Sequence, residues 1–524
     1  MKRERAKLLA IVAGGVLFNL VFWREKIALN TLLYDVFLLL ILFSLYPKAR
    51  RSSTVGWLTL GHLICLAMIV VHNSVISKVG CCITMALLAG FIEYIHRSAW
   101  YAGGSVLLNG GFVIASLFES FQFEKTSTPG KRKYGKLILF AIIPLLFSII
   151  FILIYSSANS VFSEVVGKFW KWLGTSITDF LDLISWQRFF FLLAGLYLTG
   201  WIILKSRMDF FEKKENKCED ELLRRRKTAT EKRNDLLNSI SRNLMGKLGK
   251  GMLALKNMNT VGLLSLVLLN ILLLIVNGID IAYLWFGFEY GKDVNLYKVI
   301  HQGTDMLIIS ILLAMAILII FFRGNLNFYR HNKWLKYGSY AWIIQNCILV
   351  FSVFLRDYYY ISQTGLAYKR IGVLFYLLLV MTGLVTVFWK IYRKKTTYYL
   401  FRVNAWSVII LLVGATTVNW DEFIAAYNFR QKDKILMPVD YMLTLSNKAI
   451  PLLEQNADVL REQLKKQEQL GFLKDPCEAC VVNSLQEKKE AFMNAQSGYS
   501  WLSYNLSDAS IKRYFSESSK LSSK

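Results

Sequence analysis

Apolar residues come along this chain in long blocks separated by clusters of charge, which is the punctuation of membrane spans rather than the periodicity of amphipathic soluble helices. The centre of the pattern is Thr304–Ile391. It holds an apolar run from Thr304 to Phe322, a second from Tyr337 to Leu355 with Gln345 and Asn346 in its middle, and a third opened by Gly365–Val373. Two charged loops join them, Phe322–Phe328 and the stretch beginning Arg356-Asp357-Tyr358-Tyr359-Tyr360. Each run approaches the roughly 20 residues that cross a bilayer core. Ahead of them lie Leu8–Trp23, Ile27–Tyr46, Val55–Val71, Val75–Ile95, Lys136–Tyr155, Arg188–Leu204 and Val261–Phe286, and after them Tyr399–Val418. The pattern predicts an all-α polytopic membrane protein with about eleven transmembrane spans.

Two stretches depart from the pattern. Tyr101–Phe118 is apolar but carries Gly103-Gly104 and Gly110-Gly111, and is expected to be an interfacial or re-entrant segment. Counted as a full span, it would put the basic stretch Lys125–Lys136 outside. Asn159–Trp186 spaces Phe162, Val166, Phe169, Leu173 and Ile177 as one face of a helix lying on the membrane. The basic start followed by Leu8–Trp23 resembles a signal peptide, but no small-residue cleavage site precedes Arg24, so an uncleaved hairpin with Ile27–Tyr46 is expected.

Charge then orients the spans. The chain of 524 residues is 55% hydrophobic, only 19% charged, and carries a formal net charge of +26. Its mean hydropathy is +0.39. Such a composition excludes an ordinary soluble protein. The basic excess lies in loops: Lys205–Thr260 holds 15 Lys/Arg against 8 Asp/Glu. Placing Lys48–Arg51, Lys125–Lys136, Lys205–Lys256, Arg323–Lys336 and Arg393–Lys395 inside needs an odd span count. The expected location is therefore the bacterial cytoplasmic (inner) membrane, with the N-terminus inside and the C-terminus outside. Four parts follow: 1–204, N-terminal hairpins; 205–260, a basic cytoplasmic loop; 261–418, a core bundle; and 419–524, a small helical extracytoplasmic domain. No basic patch interleaves with stacking aromatics on a polar segment, so nucleic acid is not an expected partner.

Candidate chemistry is sparse. No phosphate loop of Walker spacing, no His-Glu-x-x-His helix and no Gly-x-Ser-x-Gly elbow occurs, so no catalytic residue is assigned. Cys65, Cys81, Cys82 and Cys347 fall in apolar runs and are expected to act as small hydrophobes. Cys477 and Cys480, in an oxidising compartment, are a disulfide candidate. No second pair or histidine completes a zinc site, and neither metal nor cofactor is expected. The scattered histidines (His62, His72, His96, His301, His331) are expected to be structural. Polar residues inside spans (Asp35, Glu93, Asn270, Asn277, Asp280, Gln345 and Asn346) are expected to hydrogen-bond between helices.

One group stands apart. The loop arithmetic puts Asp280, His301, Asp305, Arg356, Asp357, Lys369 and Arg370 near the outer ends of the core spans. Three cations on the outer face run against the positive-inside bias and call for compensation. Two readings follow: salt bridges that lock helix ends, or a site for an anionic lipid headgroup or lipid-linked phosphate, with Arg giving bidentate contacts.

Phe322–Phe328, Gln345-Asn346, Gly365–Val373, Asn419-Trp420-Asp421, Tyr427-Asn428, Asp440-Tyr441 and Tyr504-Asn505 resemble a family of bacterial multi-pass membrane proteins known only as a domain of unknown function. The resemblance implies the architecture and no reaction. The expected role is a non-enzymatic envelope sensor, scaffold or assembly component, in contact with membrane lipids and, through the C-terminal domain, with an envelope protein. The alternatives are a transporter or lipid flippase, or a lipid-linked transferase using the outer-face cluster.

Overall fold

A computed structural model of the chain describes residues 2–94, 96–122, 162, 164–169, 171, 185–205, 209–223, 254–285, 296–322, 325–469 and 478–522. Helix is the only regular structure among them, apart from one isolated bridge between Glu221 and Lys395. The N-terminal bundle comprises α1 (Lys2–Phe22), α2 (Leu29–Leu45), α3 (Ser53–Val71), α4 (Val75–Glu93), α5 (Ala99–Gln122) and α6 (Trp186–Ile203). A short helix, α7 (Phe210–Asn216), follows it. The core bundle comprises α8 (Ala254–Asp280), α9 (Leu296–Phe321), α10 (Lys333–Thr364) and α11 (Tyr368–Tyr392). α12 (Thr397–Thr416) packs on α11 on one side and on α3, α4 and α5 on the other, and so joins the two bundles.

Among the described residues, eight helices are long and apolar enough to cross a membrane, and Leu29–Leu45 and Met306–Phe321 are shorter apolar helices beside them. The chain is thus a helical, membrane-embedded protein. The Lys136–Tyr155 span lies outside the described residues.

Helices in lipid are held by close packing and interhelical hydrogen bonds, because lipid tails already satisfy apolar surface. Both devices are visible. α1 meets α6 through Gly14, Gly15 and Gly195; a methyl group on Gly15 would sit 2.4 Å from Leu196, and one on Gly195 2.8 Å from Phe18. α8 meets α10 through a polar ladder. Asn270 Nδ2 donates to the Gly338 carbonyl at 3.0 Å, Gln345 Nε2 to Asn270 Oδ1 at 2.8 Å, and Asn277 Nδ2 to the Gln345 carbonyl at 3.0 Å. Three of the polar span residues therefore do what the sequence leads one to expect.

Two elements differ from the expectation. Tyr101–Phe118 lies within the continuous helix α5, which differs from a broken re-entrant segment and leaves the interfacial alternative as it stood. Its glycines do not interrupt it; they admit neighbours. Gly104 faces the Phe211 ring, which a methyl there would meet at 2.7 Å, and Gly110 faces the Trp201 ring, at 3.1 Å. The helix-propensity cost of about 1 kcal/mol per glycine is offset by that packing. The second difference is α10, which continues through Arg356–Tyr360 rather than ending in a loop there. Charge alone does not end a helix. Gly365 does, with φ +78 in the left-handed region that favours glycine. At 32 residues α10 is about 48 Å long, more than the roughly 30 Å hydrocarbon core needs.

After α12 the chain folds over the ends of both bundles as α13 (Trp420–Arg430), α14 (Val439–Thr444), α15 (Ile450–Gln455), α16 (Ala457–Gln469), α17 (Glu478–Ser497) and α18 (Leu506–Ser522). These helices share one core with the bundle ends: Ile361, Leu366 and Ile371 pack with Ile424, Met437, Leu453 and Leu485. At the opposite face, residues 209–223 of the basic loop are seated rather than free. Glu215 is buried, bonded to His96 Nδ1 at 2.6 Å and accepting from Tyr398 Oη at 2.6 Å and the Ser98 amide at 2.8 Å. Burial pushes its carboxyl up, but the hydrogen bonds from His96 and Tyr398 outweigh it and hold the group below its usual range.

Candidate functional site

The helix ends under α13–α18 carry most of the residues singled out from the sequence. α8 ends at Asp280, which is buried and ion-paired with Arg356 of α10. One residue further along α10, Asp357 is buried within electrostatic reach of Arg370, at the start of α11. Arg370 is only 8% exposed, which for a guanidinium demands specific partners. It lies over the Tyr360 ring at 4.2 Å and donates to the Thr364 carbonyl at 3.1 Å, one of the carbonyls that α10 leaves open at its end. Lys369, its neighbour in sequence, is exposed. The geometry thus separates two cations that the sequence groups together. His301 and Asp305 lie on α9, and their side chains are outside the described residues, as are those of Cys477 and Cys480.

Among the fully buried polar atoms of the cluster, those left without a partner are mainly acceptors. Asp280 Oδ2, Asp357 Oδ2 and Arg356 Nε take no hydrogen bond among the described residues.

The C-terminal helices lock onto this end in two places. Over the core bundle, Asn428 of α13 is fully buried and brackets the backbone of one residue, Leu366. Its Oδ1 accepts from the Leu366 amide at 2.6 Å, and its Nδ2 donates to the Leu366 carbonyl at 3.0 Å. Beside it the Tyr368 amide donates to Tyr441 Oη at 2.9 Å, and the Leu436 amide to the Gln363 carbonyl at 2.8 Å. Over the N-terminal bundle, the α1–α2 turn is held by the segment before α18. The Lys26 amide donates to Ser503 Oγ at 2.8 Å, Ser503 Oγ to Glu25 Oε2 at 2.5 Å, and the Leu29 amide to the Tyr504 carbonyl at 3.2 Å. Lys26 Nζ reaches Asp508 Oδ2 at 2.6 Å, and Asn505 and Gln496 donate to the same oxygen. Asn428, Tyr441 and Asn505 stand in the stretches singled out from the sequence, yet their sequence context shows no chemistry. Lys26 and Asp508 give no sequence signal, because 482 residues separate them.

Burial pushes the Asp508 carboxyl up, but hydrogen bonds from Lys26, Asn505 and Gln496 outweigh it, leaving the group below its ordinary value. A depressed carboxylate contributes stability that is present above its unfolded pKa, about 4, and is lost as pH falls through the folded value. The clasp is therefore expected to hold unchanged from pH 8 to 5 and to open only below about pH 4, whereas Asp508→Asn opens it at neutral pH. Hydrogen exchange of residues 500–508 checks both. Weakened protection between pH 8 and 5 in the unsubstituted protein would contradict the assignment.

A family model described as Domain of unknown function (DUF4153) matches residues 12–456, most of the chain. No curated protein and no solved structure matches it.

Proposed function

The chain belongs to the DUF4153 family, and we propose that it is a non-enzymatic component of the bacterial envelope: a rigid platform in the cytoplasmic membrane that presents its C-terminal helices, outside, to a protein partner. The observation that carries this reading is the double anchorage of α13–α18. Asn428 ties them to the core bundle and the Lys26–Asp508 clasp ties them to the N-terminal bundle. A helical layer bolted to both bundles holds them in one relation, which suits a scaffold. A transporter has to let such bundles move against each other. The charged cluster supports the same reading, since Arg356 is engaged by Asp280, and Arg370 by Tyr360 and Thr364. That favours bracing over an anionic headgroup site.

Two experiments test the proposal. A one-sided reporter fused after Lys524 should be active where the same reporter inserted after Lys256 is not, because the basic loop belongs inside. Signals from the same side would overturn the orientation. A photo-crosslinking residue at Val482 or Met493, both exposed on α17, should trap a discrete envelope protein in intact cells, while one at buried Phe492 should not. Equal trapping at all three positions, or substrate-dependent flux in proteoliposomes without any crosslink, would remove the scaffold reading.

A further inference from the structure

Three residues to which the sequence assigns no joint role meet inside the N-terminal bundle. Asp35 on α2, His62 on α3 and Cys81 on α4 are each buried, and their ligand atoms all lie within 4.8 Å of one another. Asp35 Oδ2 is 3.2 Å from Cys81 Sγ and 3.5 Å from His62 Nε2. Asp35 stands six residues into α2 and Cys81 six into α4, so both lie about 9 Å below the end that the C-terminal helices cover.

The hydrogen bonds fix which histidine nitrogen faces the group. Thr84 Oγ1 lies 2.7 Å from the Gly80 carbonyl and 3.1 Å from that of Cys81, and a hydroxyl that donates its one proton to these carbonyls is an acceptor toward His62 Nδ1 at 2.9 Å. In the neutral imidazole Nε2 then carries the lone pair, and it has no hydrogen-bond partner although His62 is fully buried. Nitrogen, oxygen and sulfur lone pairs therefore converge on one point, with one thiol proton among them. A buried carboxylate opposite an imidazole lone pair is repulsive unless something positive lies between them.

We propose that Asp35, His62 and Cys81 form a binding site for a divalent transition-metal ion of the zinc type. The donor set of imidazole, carboxylate and thiolate is one such an ion takes. Bonds of roughly 2.0 Å to N and O and 2.3 Å to S place tetrahedral ligand atoms about 3.3–3.5 Å apart, close to the 3.2 and 3.5 Å that separate Asp35 Oδ2 from Cys81 Sγ and His62 Nε2, with the His62–Cys81 pair within 4.8 Å. Charge closes as well: a divalent ion with one carboxylate and one thiolate is neutral, which a site at this depth requires. Binding breaks the Cys81 S–H bond, forms the metal–sulfur bond and sends the proton to solvent. Thr84 serves as the outer partner that orients the ligating ring. Three protein ligands leave a fourth position open, as in sites that hold water or an exchangeable group. α12 and α2 wall the group in: Val413 and Leu32 pack on Cys81 and its neighbours, and a methyl on Gly80 would lie 2.9 Å from Thr416.

The test is titration of the purified, reduced full-length protein in detergent with Co2+ alone, a coloured stand-in for zinc. One equivalent should bind with a sulfur-to-cobalt charge-transfer band, and Zn2+ should displace it. The near-isosteric variants Cys81→Ser and Asp35→Asn, checked for folding by gel filtration, should lose the band or weaken binding by about a hundredfold, and Thr84→Val by about tenfold. Cys82→Ser, on the exposed face of α4, should behave as the unsubstituted protein. No stoichiometric cobalt binding by the folded unsubstituted protein would overturn the proposal and leave a proton-sharing network in its place. Binding without a sulfur band, or undiminished in Cys81→Ser and Asp35→Asn, would overturn it equally.

Discussion

Arg370→Ala is expected to lower the stability of the detergent-solubilised protein by about 3–5 kcal/mol, the range for removing one partner from a buried charged group. Lys369→Ala, one residue away, should change it by no more than about 0.5 kcal/mol, as exposed substitutions do. The contrast follows from position alone. Arg370 lies over Tyr360, bonds the open Thr364 carbonyl and is the nearby positive charge for buried Asp357, whereas Lys369 points to solvent. Arg370→Lys keeps the charge but loses the flat guanidinium that stacks on the ring, so an intermediate loss is expected. Thermal unfolding followed by monodispersity, in membranes and in detergent, gives the comparison. If Arg370→Ala is as stable as Lys369→Ala but fails to retain an anionic lipid that the unsubstituted protein copurifies, the cluster binds rather than braces.

This pair shows what a sequence of this kind discloses. Hydropathy blocks reveal the spans because a bilayer demands apolar length, and α3, α6, α11 and α12 lie within a few residues of the runs that announce them. Loop charge brought Asp280, Arg356, Asp357 and Arg370 to one end of the core bundle, since helices joined by short turns are neighbours. It could not tell Arg370 from Lys369, because which side of a helix start faces a partner depends on packing. It also misread Arg356–Tyr360 as a loop, since charge suggested water where Asp280 and the tyrosine rings supply partners. The Asp35–His62–Cys81 group was invisible for a related reason. Its members sit on three helices, and metal spacing is recognisable in sequence only when ligands share a turn or a loop.

The second large effect is expected at the bracket that joins α13 to the core bundle. Asn428→Ala leaves the Leu366 amide and carbonyl, both in a buried residue, without the partners they have at 2.6 and 3.0 Å. Each unsatisfied group costs about 1–3 kcal/mol. Asn428→Asp is not a rescue. It keeps the acceptor for the Leu366 amide but turns a carboxylate oxygen toward the Leu366 carbonyl. Gly365→Ala should fail through the same contact. The new methyl would lie 2.6 Å from Asn428 Oδ1, on a backbone whose φ of +78 already disfavours a side chain. Because both substitutions break one junction, their effects should not add, and the double variant should be little worse than either single one. The neighbouring segment 431–436 is held to α10 by the Leu436 amide on the Gln363 carbonyl, so it reports the opening. Limited proteolysis there should accelerate by on the order of a hundredfold in Asn428→Ala, while the described spans stay protected. Additive losses, or cleavage at the unsubstituted rate, would mean that α13–α18 are held down elsewhere. The Lys26–Asp508 clasp, on the other bundle, would then be the anchor that matters.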